Sequence, residues 1–332
     1  MKFEQIISSL KKKDYQPIYF LMGDEPYYID YISDFIIKNI LNDSEKDFNQ
    51  HIFYAKDSDV NTIISTAKQF PLMSNYTVVV IKEAQDLKKI ELFEEYFNNP
   101  LSTTILVFCY KNKSIDKRKK FGKNISKKAL VFESKKLYEN QIPDWIQKFT
   151  QQNGYQISIK ASYLLNEFLG NNLSKLSNEL EKLMIICDKD KEISTDLIEK
   201  NIGISKDYNV FELNNALSIR DHLKANRIVN YFENNPKTNP LILTISSLFN
   251  HFQKTLIYHT LKDKSKNNVA SKLKINPFFV KDYSISAKNY SKKQLMNIIS
   301  NLRIYDLKSK GVDNQNTTDG QLLRELIFKI LH

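Results

Sequence analysis

The sequence predicts an α/β amino-terminal domain with a parallel sheet, followed by two all-α domains. Apolar runs such as TVVVI and TILVFCY alternate with amphipathic segments up to about residue 138, as expected when helices cover both faces of a parallel sheet. Beyond that point the strand signal ends and apolar residues recur at helical spacing. The chain has only 7 Gly and 8 Pro in 332 residues, too few for an all-β fold rich in tight turns.

Five strands and four main helices are predicted in the first domain, which we assign to residues 1–138. A short amphipathic helix is expected before the first strand. The strands are predicted at residues 17–22, 51–54, 76–81, 103–110 and 130–133. The helices between them are predicted at residues 27–41, 60–69, 87–98 and 117–128. This alternation is typical of a doubly wound sheet.

Helices are predicted throughout the remaining chain, which we divide at residue 208. In the second domain, residues 139–208, helices are expected at 142–152 and 162–169, and Ser194 is expected to cap another. Between them a helical stripe is formed by Leu173, Leu176, Leu180 and Leu183. In the third domain, residues 209–332, helices are predicted at 210–217, 222–234, 240–261, 269–273, 277–290, 292–310 and 321–331.

The loop after the first strand lacks the parts of a phosphate-binding loop. A P-loop ATPase begins with a strand, a glycine turn and a helix, and the turn requires the pattern G-x-x-x-x-G-K-[ST]. Here Gly23-Asp24-Glu25-Pro26 supplies one glycine, two carboxylates and no lysine. The helix dipole favours the carboxylates as caps, and they would repel a nucleotide. The sequence therefore predicts a nucleotide-binding scaffold that binds no nucleotide or other cofactor.

The net charge of +11 is concentrated in two segments. Residues 111–136 hold eleven Lys and Arg against two acids, and residues 254–293 hold ten Lys against two acids. Such patches indicate a polyanion partner. The alternative is a solvated lysine surface, because AT-rich coding also enriches Lys, Asn and Ile. The candidate DNA contacts are Lys117, Arg118, Lys119 and Lys120.

An apolar tetrapeptide, Phe70-Pro71-Leu72-Met73, lies between a predicted helix and a predicted strand. Polar turn residues are usual at such a place. Two interpretations are open. The four residues either pack under the edge of the sheet, or form an exposed apolar wedge for a pocket on a partner.

Enzymatic, metal and membrane functions are not indicated. The five histidines show neither H-E-x-x-H spacing nor neighbouring cysteines. Cys109 lies in an apolar strand and is expected to be a buried thiol rather than half of a disulfide. No apolar run reaches the ~18 residues of a membrane span, and the start lacks the apolar stretch of a signal peptide. A cytoplasmic protein without catalytic or metal-binding residues is expected.

The chain resembles a known family, the delta subunit of the bacterial DNA polymerase III clamp loader. Each matching segment is weakly specific alone, but their order and spacing are jointly specific. The resemblance extends over nearly the whole chain, in residues 17–30, 70–85, 96–120, 169–183, 193–203, 210–217, 276–283 and 319–331.

The resemblance implies a degenerate AAA+ domain without ATPase activity, a helical lid and a helical collar. It implies that the protein binds and opens the sliding clamp (beta) for loading onto primer–template DNA. The implied wedge falls on Leu72 and Met73, flanked by Phe70 and Pro71, with Met73 at a position that is often aromatic. The implied assembly partners are the gamma or tau and delta prime subunits.

Two further questions stay open from the sequence. The rival functions are an active ATPase subunit of the same machinery and a stand-alone DNA-binding adaptor. The apolar face of the last helix is expected either to pack on other loader subunits or to complete the core of this chain. The residues of that face are Leu322, Leu323, Leu326, Ile327 and Ile330.

Overall fold

The chain folds into two units, Met1–Leu137 and Tyr138–His332, in the computed structural model. The structure describes residues 1–188, 191–203, 205–314 and 316–332. The predicted fold class is confirmed, since a parallel α/β unit precedes a helical one. The further division of the helical part at residue 208 stays a prediction.

A five-stranded parallel sheet forms the centre of the first unit. Its strand order is β2-β3-β4-β1-β5. The register is parallel throughout; Ile18 lies beside Leu106, for example, and Tyr19 beside Leu130. The strands are β1 (Ile18–Gly23), β2 (Gln50–Tyr54), β3 (Thr77–Lys82), β4 (Thr104–Lys111) and β5 (Leu130–Ser134).

Both faces of this sheet are covered, which explains why its inner strands are continuously apolar. Alternate residues of β1 enter two separate cores, Tyr19 and Leu21 on one face and Phe20 on the other. Helices α1 and α2 cover the first face, and α4, α5 and α6 cover the second. The helices are α1 (Phe3–Lys11), α2 (Pro26–Asn39), α3 (Asp43–Asn49), α4 (Val60–Ala67), α5 (Phe93–Asn98) and α6 (Lys120–Lys128).

Two helix predictions for this unit are wrong and one helix was missed. The helix predicted at 87–98 is interrupted by Lys89, which has a φ of 56°, so that only a short 3-10 turn precedes α5. The helix predicted at 117–128 begins at Lys120. Helix α3 was not predicted, although Asn42 and Glu45 form a capping box at its start.

The second unit is helical apart from a pair of two-residue parallel strands, β6 (Gln156–Ile157) and β7 (Glu192–Ile193). This ribbon was not predicted, because two residues are too few to give a periodic signal. The helices are α7 (Ile142–Gln152), α8 (Ile159–Leu169), α9 (Leu173–Ile186), α10 (Thr195–Ile202), α11 (Val210–Ser218), α12 (His222–Asn234), α13 (Leu241–Thr260), α14 (Lys266–Leu273), α15 (Val280–Asn289), α16 (Lys292–Ser309) and α17 (Asp319–Leu331).

Helices α11, α12, α13, α16 and α17 share one apolar core. The predicted apolar face of the last helix lies inside this core. The structure therefore agrees with the alternative in which this face completes the core of this chain. The face consists of Leu322, Leu323, Leu326, Ile327 and Ile330, each at most 3% exposed.

Candidate functional site

The loop after β1 is closed against β5. Gly23 has a φ of +125°, and a Cβ there would lie 2.1 Å from the carbonyl oxygen of Ser134, so only glycine fits. The backbone N–H of Asp24 donates to that carbonyl at 3.2 Å. The N–H of Glu25 donates to the Ser134 hydroxyl at 3.2 Å. A phosphate-binding loop needs free N–H groups, and here protein acceptors already engage them.

Glu25 caps the helix that would face a nucleotide phosphate. Its side chain is buried and accepts a hydrogen bond from the N–H of Tyr27 at 3.2 Å. Burial raises the pKa of Glu25, while the bond from Tyr27 and the charge of Lys136 oppose that shift. The carboxyl group thus occupies the N-terminal turn of α2, where a P-loop would place an anionic phosphate.

An ion-pair network fills the carboxyl edge of the sheet beside this loop. Lys82 Nζ, at the end of β3, lies 3.0 Å from Asp34 and 3.9 Å from Asp30, both on α2. Lys111 Nζ, at the end of β4, lies 2.8 Å from Asp30 and 3.0 Å from Glu83. Glu83 directly follows β3, but the other two acids lie on the helix and both lysines lie on the strands. This is the reverse of an ATPase, whose helix carries the phosphate-binding lysine and whose strands carry metal-binding acids.

The network sets the charge states of its own members. Burial opposes the charge of Lys111, but hydrogen bonds to Asp30 and Glu83 outweigh it and raise the Lys111 pKa. Burial acts against Glu83 too, but hydrogen bonds from Gln85 and Lys111 lower its pKa. Glu83 therefore pairs with Lys111, and its side chain accepts no capping hydrogen bond from the 3-10 turn that follows it.

The apolar tetrapeptide between α4 and β3 is exposed. Phe70 is 77% exposed, Leu72 56% and Met73 95%, while Pro71 is partly buried. The interpretation in which all four pack under the sheet is therefore wrong. We call residues 70–73 the wedge segment. Exposed adjacent apolar side chains lose no core packing when they contact a partner, which makes them suitable interface anchors.

Hydrogen bonds hold the backbone on both sides of the wedge segment's exposed side chains. On its N-terminal side, the carbonyl of Ala67 accepts from the hydroxyls of Tyr96 and Thr104, at 3.2 and 2.9 Å. On its C-terminal side, Asn49 Oδ1 accepts from the N–H of Leu72 at 2.7 Å. Asn49 Nδ2 donates to the Leu72 carbonyl at 2.9 Å. The exposed side chains are thus displayed on a fixed backbone.

Asn49 was missed by sequence reasoning. It ends α3 and is 1% exposed, with its amide also donating to the carbonyl of Glu45 at 3.0 Å. A buried asparagine whose three hydrogen bonds all go to backbone groups is a structural anchor. The capping box at Asn42 and Glu45 would have revealed the helix but not this contact.

The four predicted DNA contacts lie together before and at the start of α6, but three of them form salt bridges. Lys117 pairs with Glu133 at 2.6 Å, Arg118 with Asp116 at 2.9 Å and Lys120 with Glu94 at 3.2 Å. Among the described residues, Lys119 has no such partner. Exposed pairs of this kind are weak, yet they reduce the positive charge that the segment presents to a polyanion.

The described residues provide little else for catalysis. None of their helices is long and apolar enough to cross a bilayer. They include no group of three or more His, Cys, Asp or Glu placed to hold a metal ion. His251 is buried and lies 2.9 Å from the Ser218 hydroxyl; burial, with Lys254 nearby, lowers its pKa to about 4. This histidine is neutral at pH 7 and has a packing role.

Comparison with known proteins gives a consistent result over both units. The family described as DNA polymerase III, delta subunit matches residues 19–135, and its C-terminal domain matches residues 207–328. The DNA polymerase III subunit delta of Bacillus subtilis (strain 168) is 27% identical over 331 residues, 96% of this chain and 94% of the relative. A solved structure of the Bacillus subtilis DNA clamp loader delta protein is 26% identical, covers 99% of both chains and has a TM-score of 0.54.

Proposed function

Because the chain belongs to the family of DNA polymerase III delta subunits, we propose that it binds the sliding clamp and opens it for loading onto primed DNA. Membership of this family makes it a DNA replication protein and a subunit of a polymerase holoenzyme. The finer proposal is that it acts by contact, without hydrolysing ATP.

The exposed wedge segment is the observation that carries this proposal. Leu72 and Met73 are apolar, adjacent and accessible, while Asn49 fixes the backbone beneath them. A preformed apolar projection loses little conformational entropy when it binds. It can therefore use its burial energy to compete with contacts that keep the clamp closed.

We propose that the other partners are the gamma or tau and delta prime subunits, assembled through the helical unit in the cytoplasm. Primer–template DNA is the proposed ligand of the assembled loader. A contact between that DNA and residues 117–120 stays a prediction, supported by their charge and weakened by their salt bridges.

The isolated chain should show no binding of ATP–Mg²⁺ by titration calorimetry. The backbone donors of Asp24 and Glu25 are engaged with Ser134, and the helix presents carboxylates in place of the P-loop lysine. Each missing charge-assisted hydrogen bond to phosphate forfeits roughly 1.5–3 kcal/mol. An active P-loop ATPase in the same buffer serves as the positive control. Micromolar binding by this chain would refute the proposal that it is inactive and would favour the rival ATPase function.

An assembly experiment distinguishes the rival adaptor function from the proposed function. Size-exclusion chromatography with the loader ATPase subunits and the clamp should give a joint peak. A chain that binds DNA but elutes apart from both would be an adaptor.

Replacing Asn49 by alanine should weaken clamp binding by about tenfold, or ~1.4 kcal/mol. The substitution leaves the N–H and carbonyl of Leu72 without their partner, so the wedge segment becomes mobile before it binds. Titration of the purified clamp measures the loss. Hydrogen exchange of the Leu72 amide should accelerate in the absence of any clamp, because that proton loses its buried acceptor.

Two comparisons isolate the role of Asn49 as a positioning residue. Asn42→Ala removes the cap at the other end of α3 without touching the wedge segment, so it should leave clamp affinity unchanged. In a chain that already carries Leu72→Ala and Met73→Ala, Asn49→Ala should have no further effect on clamp binding. Equal losses from the two asparagine variants would mean that α3 acts only through general stability.

A further inference from the structure

The second basic segment presents more unpaired charge than the first. Ten lysines lie between residues 254 and 293, and none forms a salt bridge with a described residue. Nine of the ten are exposed, and Lys254 is partly buried. In residues 117–120, by contrast, three of four cations are paired.

The two acids of this segment form no salt bridge with its lysines. Both carboxylate oxygens of Asp263 accept hydrogen bonds from Ser265, one from its N–H at 2.8 Å and one from its hydroxyl at 2.9 Å. Asp282 is partly buried and forms no salt bridge with a described residue. The positive charge of the segment therefore remains available to a ligand.

The lysines project from one small folded platform. The end of α13 and helices α14 and α15 pack around a separate apolar cluster that contains Tyr258, Leu273 and Val280. Tyr290 joins α15 to α16 and is fully buried, with its hydroxyl donating to the carbonyl of Leu217 at 2.8 Å. The charges are thus held on ordered helices rather than on a flexible tail.

Helix α14 of the platform and the adjoining helix α16 begin with lysines, which is unfavourable in the free protein. Lys266 opens α14, and Lys292 and Lys293 open α16, with no acid in either first turn. The positive end of a helix dipole repels cations, so these lysines add to an already positive potential. An anion bound beside them would relieve that repulsion.

We propose that this platform, the exposed lysines of residues 262–293, is a contact surface for the phosphate backbone of DNA. This inference rests on the proposed function, because a clamp loader acts on primed DNA. Lysine ammonium groups on helices neutralise phosphates without selecting bases. Binding is therefore independent of sequence and sensitive to salt. The platform makes a larger contribution than residues 117–120, whose charge is largely satisfied within the protein.

The test compares two variants that remove the same charge. The platform variant carries Ala at Lys266, Lys272, Lys281 and Lys292, all exposed positions in helices, so the fold should be retained. The matched control carries Ala at Lys117, Arg118, Lys119 and Lys120. Affinity of the full chain for a labelled primer–template duplex is measured over a range of KCl concentrations, and then repeated with the assembled loader.

The platform variant should lose at least ~2 units of log–log salt slope, at ~0.9 per phosphate contact, and bind DNA at least tenfold more weakly at low salt. The control should lose less than ~1 unit. The proposal is overturned if the control loses as much as the platform variant, or if the platform variant binds DNA normally in both the chain and the loader.

An anionic membrane is the competing occupant, because Phe278 lies among the lysines and is 48% exposed. Binding of the chain to vesicles of phosphatidylglycerol and phosphatidylcholine tests this alternative. Loss of vesicle binding by the platform variant with unchanged DNA binding would overturn the proposal.

Clamp affinity should be unchanged in both variants. A failure of clamp binding by the unmodified chain would refute the proposed function while leaving the DNA measurement interpretable.

Discussion

Replacing Leu72 and Met73 together by alanine should weaken binding of the sliding clamp at least ~30-fold. Apolar anchors at the centre of an interface cost roughly 2 kcal/mol or more each when truncated, and every ~1.4 kcal/mol is a factor of ten. We set the threshold below the simple sum because neighbouring residues are rarely additive. The loss should lie mainly in the dissociation rate, since truncation changes contacts made after docking. Surface plasmon resonance with immobilised clamp measures both rates.

The double variant should fold normally, because Leu72 and Met73 are 56% and 95% exposed and contribute little to the core. A matched control replaces Leu92 and Ile185, apolar residues that are also exposed and lie outside the wedge segment, and it should bind the clamp normally. A thermal midpoint that falls in the wedge variant alone would mean that these residues support the fold. Normal clamp affinity in a folded wedge variant would exclude the segment from the interface.

The sheet could be predicted because its sequence signal is local. A strand buried on both faces must be apolar at nearly every position, as in β3 and β4. Helix α3 escaped prediction for the opposite reason, because it has seven residues and only one large apolar side chain, Phe48. It is held by the cap of Asn42 and Glu45 and by the hydrogen bonds of Asn49 to Leu72, which hydrophobic periodicity does not register.

The candidate site was only partly predictable because its decisive contacts join residues far apart in sequence. Asn49 forms hydrogen bonds with Leu72, which lies 23 positions away in sequence, and Lys117 pairs with Glu133, which lies 16 positions away. The sequence located the apolar residues of the wedge segment but could not say whether they were exposed. Exposure depends on which backbone groups anchor the loop. In the same way, a count of lysines identified two basic segments, while their salt bridges depend on the fold.

Variants of the C-terminal helix can show whether assembly with other subunits and folding of this chain depend on the same residues. Its predicted apolar face lies in the core shared by α11, α12, α13, α16 and α17. Truncation at Asp319 would therefore remove part of that core along with any contact to other subunits. A smaller change is more informative. Phe328 lies on the outer side of α17 and is 63% exposed, whereas Leu326 is fully buried.

Leu326→Ala should reduce the free energy of unfolding of the helical unit by about 2–5 kcal/mol, because it leaves a cavity in a packed core. Phe328→Ala on the same helix should change it by less than ~0.5 kcal/mol. Urea unfolding followed by circular dichroism measures both. Co-elution with the loader subunits should survive Leu326→Ala under conditions where the variant is folded, since that side chain faces inward. If Leu326→Ala left stability intact and abolished assembly, the buried face would have to open and pack on another subunit.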